Sequence, residues 1–266
     1  MAELVDALDL ESSGRPWGFE SLIPDHLNDS PVYRAFYFVI ILLMNKSLLK
    51  DAIAKYIFGV LLVGLLIFLP AGTLKWRNGW LFMMVLFIPM FFAGIIMYLK
   101  DPNLLRSRLN AKESESEQKS VIKYSGLMFI ASFVLAGLNY RFKWFVLPDS
   151  IVYASCVIFL LSYLMFGEVL RENSYLSRTI EVQENQKVVS TGLYGIVRHP
   201  MYSATVLLFL SMPLILGCFP SFLIMLFYIP IIVKRISNEE EVLEKQLEGY
   251  KEYKDKVKYR LIPFVW

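Results

Sequence analysis

Cysteine and histidine are scarce in this chain, with two of each in 266 residues. Cys156 and Cys218 both fall in apolar segments and no CxxC spacing occurs. A disulfide or a thiolate metal centre is therefore not expected, and both read as small buried hydrophobes. No metal site is expected elsewhere. No Gly-x-Gly-x-x-Gly run follows a strand-like segment, so the usual soluble dinucleotide cradle is absent. Internal repeats are missing too, which leaves inverted-repeat transporter architectures without support. The net charge is only +3, and nothing in it suggests a nucleic-acid partner.

Apolar surface is what the chain has in quantity. It is 56% hydrophobic and 15% aromatic, with a mean hydropathy of +0.49, against roughly 45–50% apolar in soluble domains. Several windows approach or exceed the ~18 apolar residues that suggest a membrane span. The expected fold class is all-α, a polytopic membrane helical bundle of five to six transmembrane helices. The spans are read at 53–72, 79–99, 124–142 and 151–170, followed by a pair at 202–217 and 222–233. Only "CFPS" separates that pair, so its arms must run antiparallel as a hairpin. Pro213 is expected to kink the first arm. Six spans become five if the hairpin is only partly inserted.

Charge orients the bundle. With the N-terminus inside, the inner side receives Lys46, Lys50, Lys55, the basic connections after the second and fourth spans, and a basic tail from Lys234 to Arg260. The outer side receives only Lys75, Arg77, Arg141 and Lys143. That asymmetry predicts both termini in the cytoplasm. Ahead of the first span, residues 1–43 open with a polar, acidic stretch without a sustained apolar face. They read as a disordered or mis-assigned extension before a simpler start at Met44. An integral, multi-pass protein of a bacterial cytoplasmic membrane is the expectation. The division is then 1–43, 44–170 for the N-terminal helices, and 171–266 for the region that carries chemistry.

Within that last region, Arg198-His199-Pro200 stands directly against the start of an apolar run, inside "STGLYGIVRHPMYSA". The other histidine, His26, lies in the excluded extension. Arg at a membrane edge can snorkel to lipid phosphate, and His-Pro can simply begin a helix. Arg235 and Glu239 are four apart and share a face of the helix that continues from the last span. Ile236, Leu243 and Leu247 form an apolar stripe on it. Gly249 is a stop signal, and Tyr250, Tyr253 and Val257 follow at helical spacing. A run of Glu alone usually means a solvated face. The combination says more. Arg198, His199, Tyr202, Arg235, Glu239 and Glu240 all fall at one cytoplasmic depth and bracket the hairpin, and ionisable residues at such a boundary mark a functional site.

"TGLYGIVRHPMYSA", a hairpin, then "NEEEVLEKQLEGYKEYKDKVKYRLIP" resembles the isoprenylcysteine carboxyl methyltransferase family, to which phospholipid methyltransferases are related. The resemblance covers about 171–266. It implies a membrane-embedded methyltransferase that uses S-adenosyl-L-methionine, with a cytoplasmic C-terminal helix completing the cofactor pocket. Tyr194, His199, Pro200, Met201 and Tyr202 match cofactor-lining positions of the family. Gln183 and the run Gln186, Lys187, Val188 and Val189 match further contacts across an alignment gap. Met201 replaces a small polar residue frequent there. Glu239 matches a cofactor-contacting acid, and Arg235 an arginine assigned to the substrate.

The chemistry of the residues agrees. A Glu accepts from an ammonium or ribose hydroxyls, His199 and backbone N–H groups donate to a carboxylate, and Tyr194 and Tyr202 can flank an adenine or a sulfonium. Arg198, Arg235 and Glu240 are the catalytic candidates. A carboxylate acceptor, already ionised, needs positioning by Arg235. An amine acceptor needs a base, for which Glu240 is the candidate. The partners expected are a lipophilic or lipidated acceptor and membrane lipids. Two alternatives stand beside this reading: an NADPH-dependent membrane reductase of the steroid reductase type, and a non-catalytic membrane protein of the same fold.

Overall fold

The computed structural model describes residues 46–109, 116–173, 175, 182 and 186–266. The expectations for 1–43 and for Gln183 lie outside these. The chain divides into units 1–51 and 52–266. Of the first, the described residues 46–51 are helical, and all packing described below belongs to the second.

Every regular element among the described residues is helical. In chain order these are α1 (Lys46–Ala71), α2 (Arg77–Lys100), α3 (Pro102–Leu109), α4 (Ser116–Phe142) and α5 (Asp149–Glu172). A 3₁₀ turn (Gly192–Gly195) precedes α6 (Pro200–Ile215), α7 (Phe219–Met225), α8 (Tyr228–Gln246) and α9 (Tyr250–Lys256). Five helical stretches are long and apolar enough to cross a membrane: Lys46–Ala71, Arg77–Lys100, Lys123–Phe142, Asp149–Glu172 and Phe219–Gln246. Their large apolar side chains face outward more often than inward. Leu61, Leu65, Leu69, Phe92, Leu161 and Leu164 are all exposed, as expected where lipid rather than water surrounds the helices. The fold is that of an integral membrane protein.

The hairpin departs from six full spans. At 16 residues, α6 is only about 24 Å long at 1.5 Å per residue, short of the ~30 Å hydrocarbon core. It holds Pro213 inside its last turn and ends at Ile215, where Gly217 turns the chain at φ +76°. The second arm begins at Phe219, earlier than expected, and is interrupted at Leu226 and Phe227. Pro230 explains the break: it has no N–H to give and its ring clashes with the carbonyl four residues back. Of the two arms, only the second belongs to a stretch long enough to span, Phe219–Gln246, and α6 is a shorter apolar helix.

Helix α6 packs along α5, while α7 packs on α4 and α6. Small residues allow the closest approaches. Ser132 and Ser221 exchange hydrogen bonds with each other's backbone across α4 and α7, Ser221 Oγ donating to Ser132 O at 2.8 Å. At Gly137 of α4 a Cβ would stand 2.5 Å from the Ile67 carbonyl of α1, so these helices meet backbone to backbone. Phe82, Phe159, Ile215, Met225 and Ile236 fill the interior. Beyond its apolar part, α8 continues unbroken through the charge-rich segment 234–245. Val257 to Leu261 then return to the start of α6, beside which the site is built.

Candidate functional site

Pro200 is the first residue of α6, and the residue before a proline is held out of the helical region. His199 accordingly takes φ −125°, ψ 61°. The backbone amides of Arg198 and His199 are thereby aimed away from the helix and donate to Tyr259 O at 2.8 Å and Arg260 O at 3.0 Å. Ser203 Oγ donates to Leu261 O at 2.6 Å. The return strand of the chain is thus clasped to the motif by its backbone.

Side chains complete the clasp around Glu240, which is only 2% exposed. Its Oε1 accepts from Arg198 Nε at 2.7 Å and from His199 Nε2 at 3.1 Å, and its Oε2 accepts from Arg260 Nε at 3.0 Å. Arg198 Nη1 also donates to the carbonyls of Val257 and Lys258 at 2.7 and 2.9 Å. An acceptor-only carboxylate opposite Nε2 means that Nε2 carries the imidazole proton. A buried charge cluster of this kind holds only when every member is paired, and here every member is.

One helical step away lies a second cluster, which borders open space. The Tyr202 hydroxyl donates to Glu239 Oε2 at 2.5 Å and receives Arg235 Nε at 2.9 Å. The Arg235 guanidinium sits 6.0 Å from the Tyr202 ring centre, and the His199 ring stacks on Tyr202 at 5.8 Å. Arg235 and Glu239 do share one face of α8, with Tyr202 as the bridge between them.

Opposite, the 3₁₀ turn presents Tyr194. Glu172, the last residue of α5, accepts from the Leu193 amide at 3.1 Å. Gly192 is at φ +50°, with its α-carbon so close to the Glu172 carboxylate that a Cβ would overlap it. Tyr194 is held by Asn173 Nδ2, which donates to its hydroxyl at 2.9 Å, and by Tyr253 Oη, which donates to its carbonyl at 2.8 Å. Burial pushes the Tyr194 phenol up to about 12, and burial likewise raises Tyr253.

Between these walls is a cleft open to solvent. Gln186, Lys187, Val188, Val189, Tyr194, His199, Pro200, Met201, Tyr202 and Glu239 all line it, together with Arg198 and Arg235. Glu240 does not line it and lies behind Arg198 and His199. Asn173, Tyr175, Leu243, Leu247, Tyr250 and Tyr253 also border the cleft and were not among the residues expected there. For Leu243, Leu247, Tyr250 and Tyr253 the signal was present as apolar and aromatic residues at helical spacing, read only as packing. Asn173 and Tyr175 carry no pattern that distinguishes them from other polar loop residues.

The phospholipid methyltransferase family model matches residues 150–249. That segment holds α5 to α8 and every cleft residue named above except Tyr250 and Tyr253. The chain is also similar to the Delta(14)-sterol reductase TM7SF2 of Mus musculus, at 29% identity over 91 residues. The similarity takes in 33% of this chain and 22% of that protein, so the chain spans about a fifth of the length of the curated relative it matches. The part of the molecule that forms the cleft is thus similar to membrane methyltransferases, and a third of the chain is similar to a sterol reductase.

Proposed function

We propose that the chain is a membrane-embedded methyltransferase that uses S-adenosyl-L-methionine to methylate a lipophilic acceptor. The observation that carries this reading is the cleft, which His199, Tyr202 and Glu239 border together inside the segment matched by the phospholipid methyltransferase model. The helices of 44–170 serve as membrane scaffold and 171–266 as the catalytic region. The cleft and the basic tail face the cytoplasm, following the distribution of Lys and Arg.

The donor set fits the cofactor. Glu239 offers a carboxylate to an ammonium or to ribose hydroxyls, and the segment 186–189 adds backbone groups to the cleft lining. Tyr194 and Tyr202 supply aromatic faces for an adenine or a sulfonium. A buried polar atom without a partner, Tyr250 Oη, belongs to a residue of the cleft wall. When bound, the cofactor supplies a methyl group activated by its positive sulfur.

The remaining work is done by the protein. Arg235, beside the cleft and on the side of α8 nearest the apolar bundle, orients a carboxylate acceptor by charge and by its paired N–H donors. Glu240 acts from behind, with Arg198 bonded to the same oxygen, fixing His199 in one tautomer and one orientation. An amine acceptor would require a base, and Glu240 is committed to three donors, which favours the carboxylate class. Positioning, rather than proton removal, then lowers the barrier. The acceptor's apolar tail lies among the lipid-facing helices while its reactive group reaches the cleft.

A second reading rests on the sterol reductase similarity: a reductase that draws on NADPH. Calorimetric titration of S-adenosylhomocysteine and of NADPH into the detergent-purified chain separates the two. Micromolar binding of S-adenosylhomocysteine, lost in His199→Ala, is the expected result. Binding of NADPH alone would replace the methyltransferase by the reductase, and binding of neither would favour a non-catalytic role.

A further inference from the structure

Tyr250 opens α9 immediately after Gly249, whose φ of +81° turns the chain out of α8. The residue is 4% exposed and borders the cleft, and its hydroxyl oxygen has no hydrogen-bond partner. Its neighbour three residues on is the contrast, since Tyr253 Oη donates to Tyr194 O at 2.8 Å. A phenol buried for packing alone gains nothing from its oxygen, because an unpaired buried hydroxyl is unfavourable and phenylalanine would fill the same space. The charged groups that act on it are Glu240, Glu239 and Arg198. Each is already engaged, the first and last with one another and Glu239 with Tyr202.

We propose that the Tyr250 hydroxyl is a recognition group of the cleft, unpaired in the ligand-free chain and completed by a hydrogen bond to a polar atom of an adenosine-bearing ligand. In its primary form this rests on the methyltransferase reading, with the cofactor as that ligand. Tyr250 lies just past the family-matched segment 150–249, so the role is carried by this chain's own geometry. Pairing on binding also gives the cleft a preference for ligands that present a donor or acceptor at that point, because a ligand without one leaves the oxygen orphaned.

The test compares the full chain with Tyr250→Phe and Tyr253→Phe in detergent, by thermal unfolding without ligand and by calorimetric titration with S-adenosylhomocysteine. Tyr250→Phe is expected to unfold at or above the native temperature while binding on the order of tenfold more weakly. Tyr253→Phe, which loses a made bond, is expected to unfold lower. The proposal is overturned if Tyr250→Phe binds S-adenosylhomocysteine like the native chain, or if its ligand-free unfolding falls as that of Tyr253→Phe does. If the native chain binds NADPH and not S-adenosylhomocysteine, the methyltransferase reading fails by itself. The same variants then decide with NADPH: weaker binding by Tyr250→Phe keeps the recognition role, and unchanged binding removes it. Binding of neither ligand overturns both.

Discussion

The Tyr202 hydroxyl and the Glu239 carboxylate, 37 residues apart in sequence, meet at 2.5 Å on the wall of the cleft. The contact ties the first turn of α6 to the middle of α8. It also fixes one oxygen of Glu239, while the other lies 4.0 Å from His199 Nδ1. Removing the hydroxyl in Tyr202→Phe should leave the fold in place, since the ring keeps its packing, but release both Arg235 and Glu239. Binding of S-adenosylhomocysteine should weaken on the order of tenfold, the worth of one hydrogen bond to a charged group, and the unfolding temperature should fall as well, because two made bonds of a buried hydroxyl are lost. Unchanged affinity would mean that Glu239 needs no orientation.

Glu240→Gln tests the buried cluster. The substitution keeps shape but leaves two guanidinium groups without their counter-charge. Breaking a buried pair in this way costs about 3–5 kcal/mol, so thermal unfolding in detergent should shift down sharply. A variant of native stability would show that Arg198 is held by the Val257 and Lys258 carbonyls alone.

Gly192→Ala would require a left-handed alanine and would displace the Glu172 carboxylate from the Leu193 amide. The two effects together amount to about 2–3 kcal/mol. Because the cost is shared with Glu172, the double variant Glu172→Ala/Gly192→Ala should lose less than the sum of the two single changes. Strict additivity in a double-mutant cycle would sever that link.

Tyr194 sets a limit at high pH. Its phenol is raised to about 12 from about 10 in an unfolded chain. The folded state therefore holds this proton more tightly. The corresponding stability is complete below pH ~10 and is lost as pH rises from there through 12. Tyr194→Phe should flatten that part of the stability–pH curve, measured by denaturant unfolding at several pH values. An unaltered slope would place the titration elsewhere.

Much of this architecture could be read from the chain because a membrane makes few demands and makes them strictly. Long apolar runs in a bilayer can only be helices or closed barrels, and these lack the alternation of a barrel strand. The Arg198-His199-Pro200 motif was legible because proline fixes a helix start and two charged-capable residues beside it need partners. The partners themselves were less visible. Arg260 and the Val257 and Lys258 carbonyls meet Arg198 and Glu240 only because the chain doubles back, and periodicity reports which face a residue occupies, not what faces it. Tyr250 shows the same limit, since its spacing reads as packing and only the missing partner marks its oxygen. The shortness of α6 was hidden for a local reason: apolar composition runs through Gly217, but α6 ends after 16 residues, with Pro213 in its last turn.

The pairing of Arg198 with Glu240 also imposes an order on biogenesis. The guanidinium leaves the ribosome 42 residues ahead of the carboxylate that neutralises it, and ahead of the two carbonyls at 257 and 258. Until those arrive, Arg198 lacks the partners that hold it in the folded chain. A chain interrupted after 249 would contain the whole family-matched region, yet it would lack the strand that lets that region close.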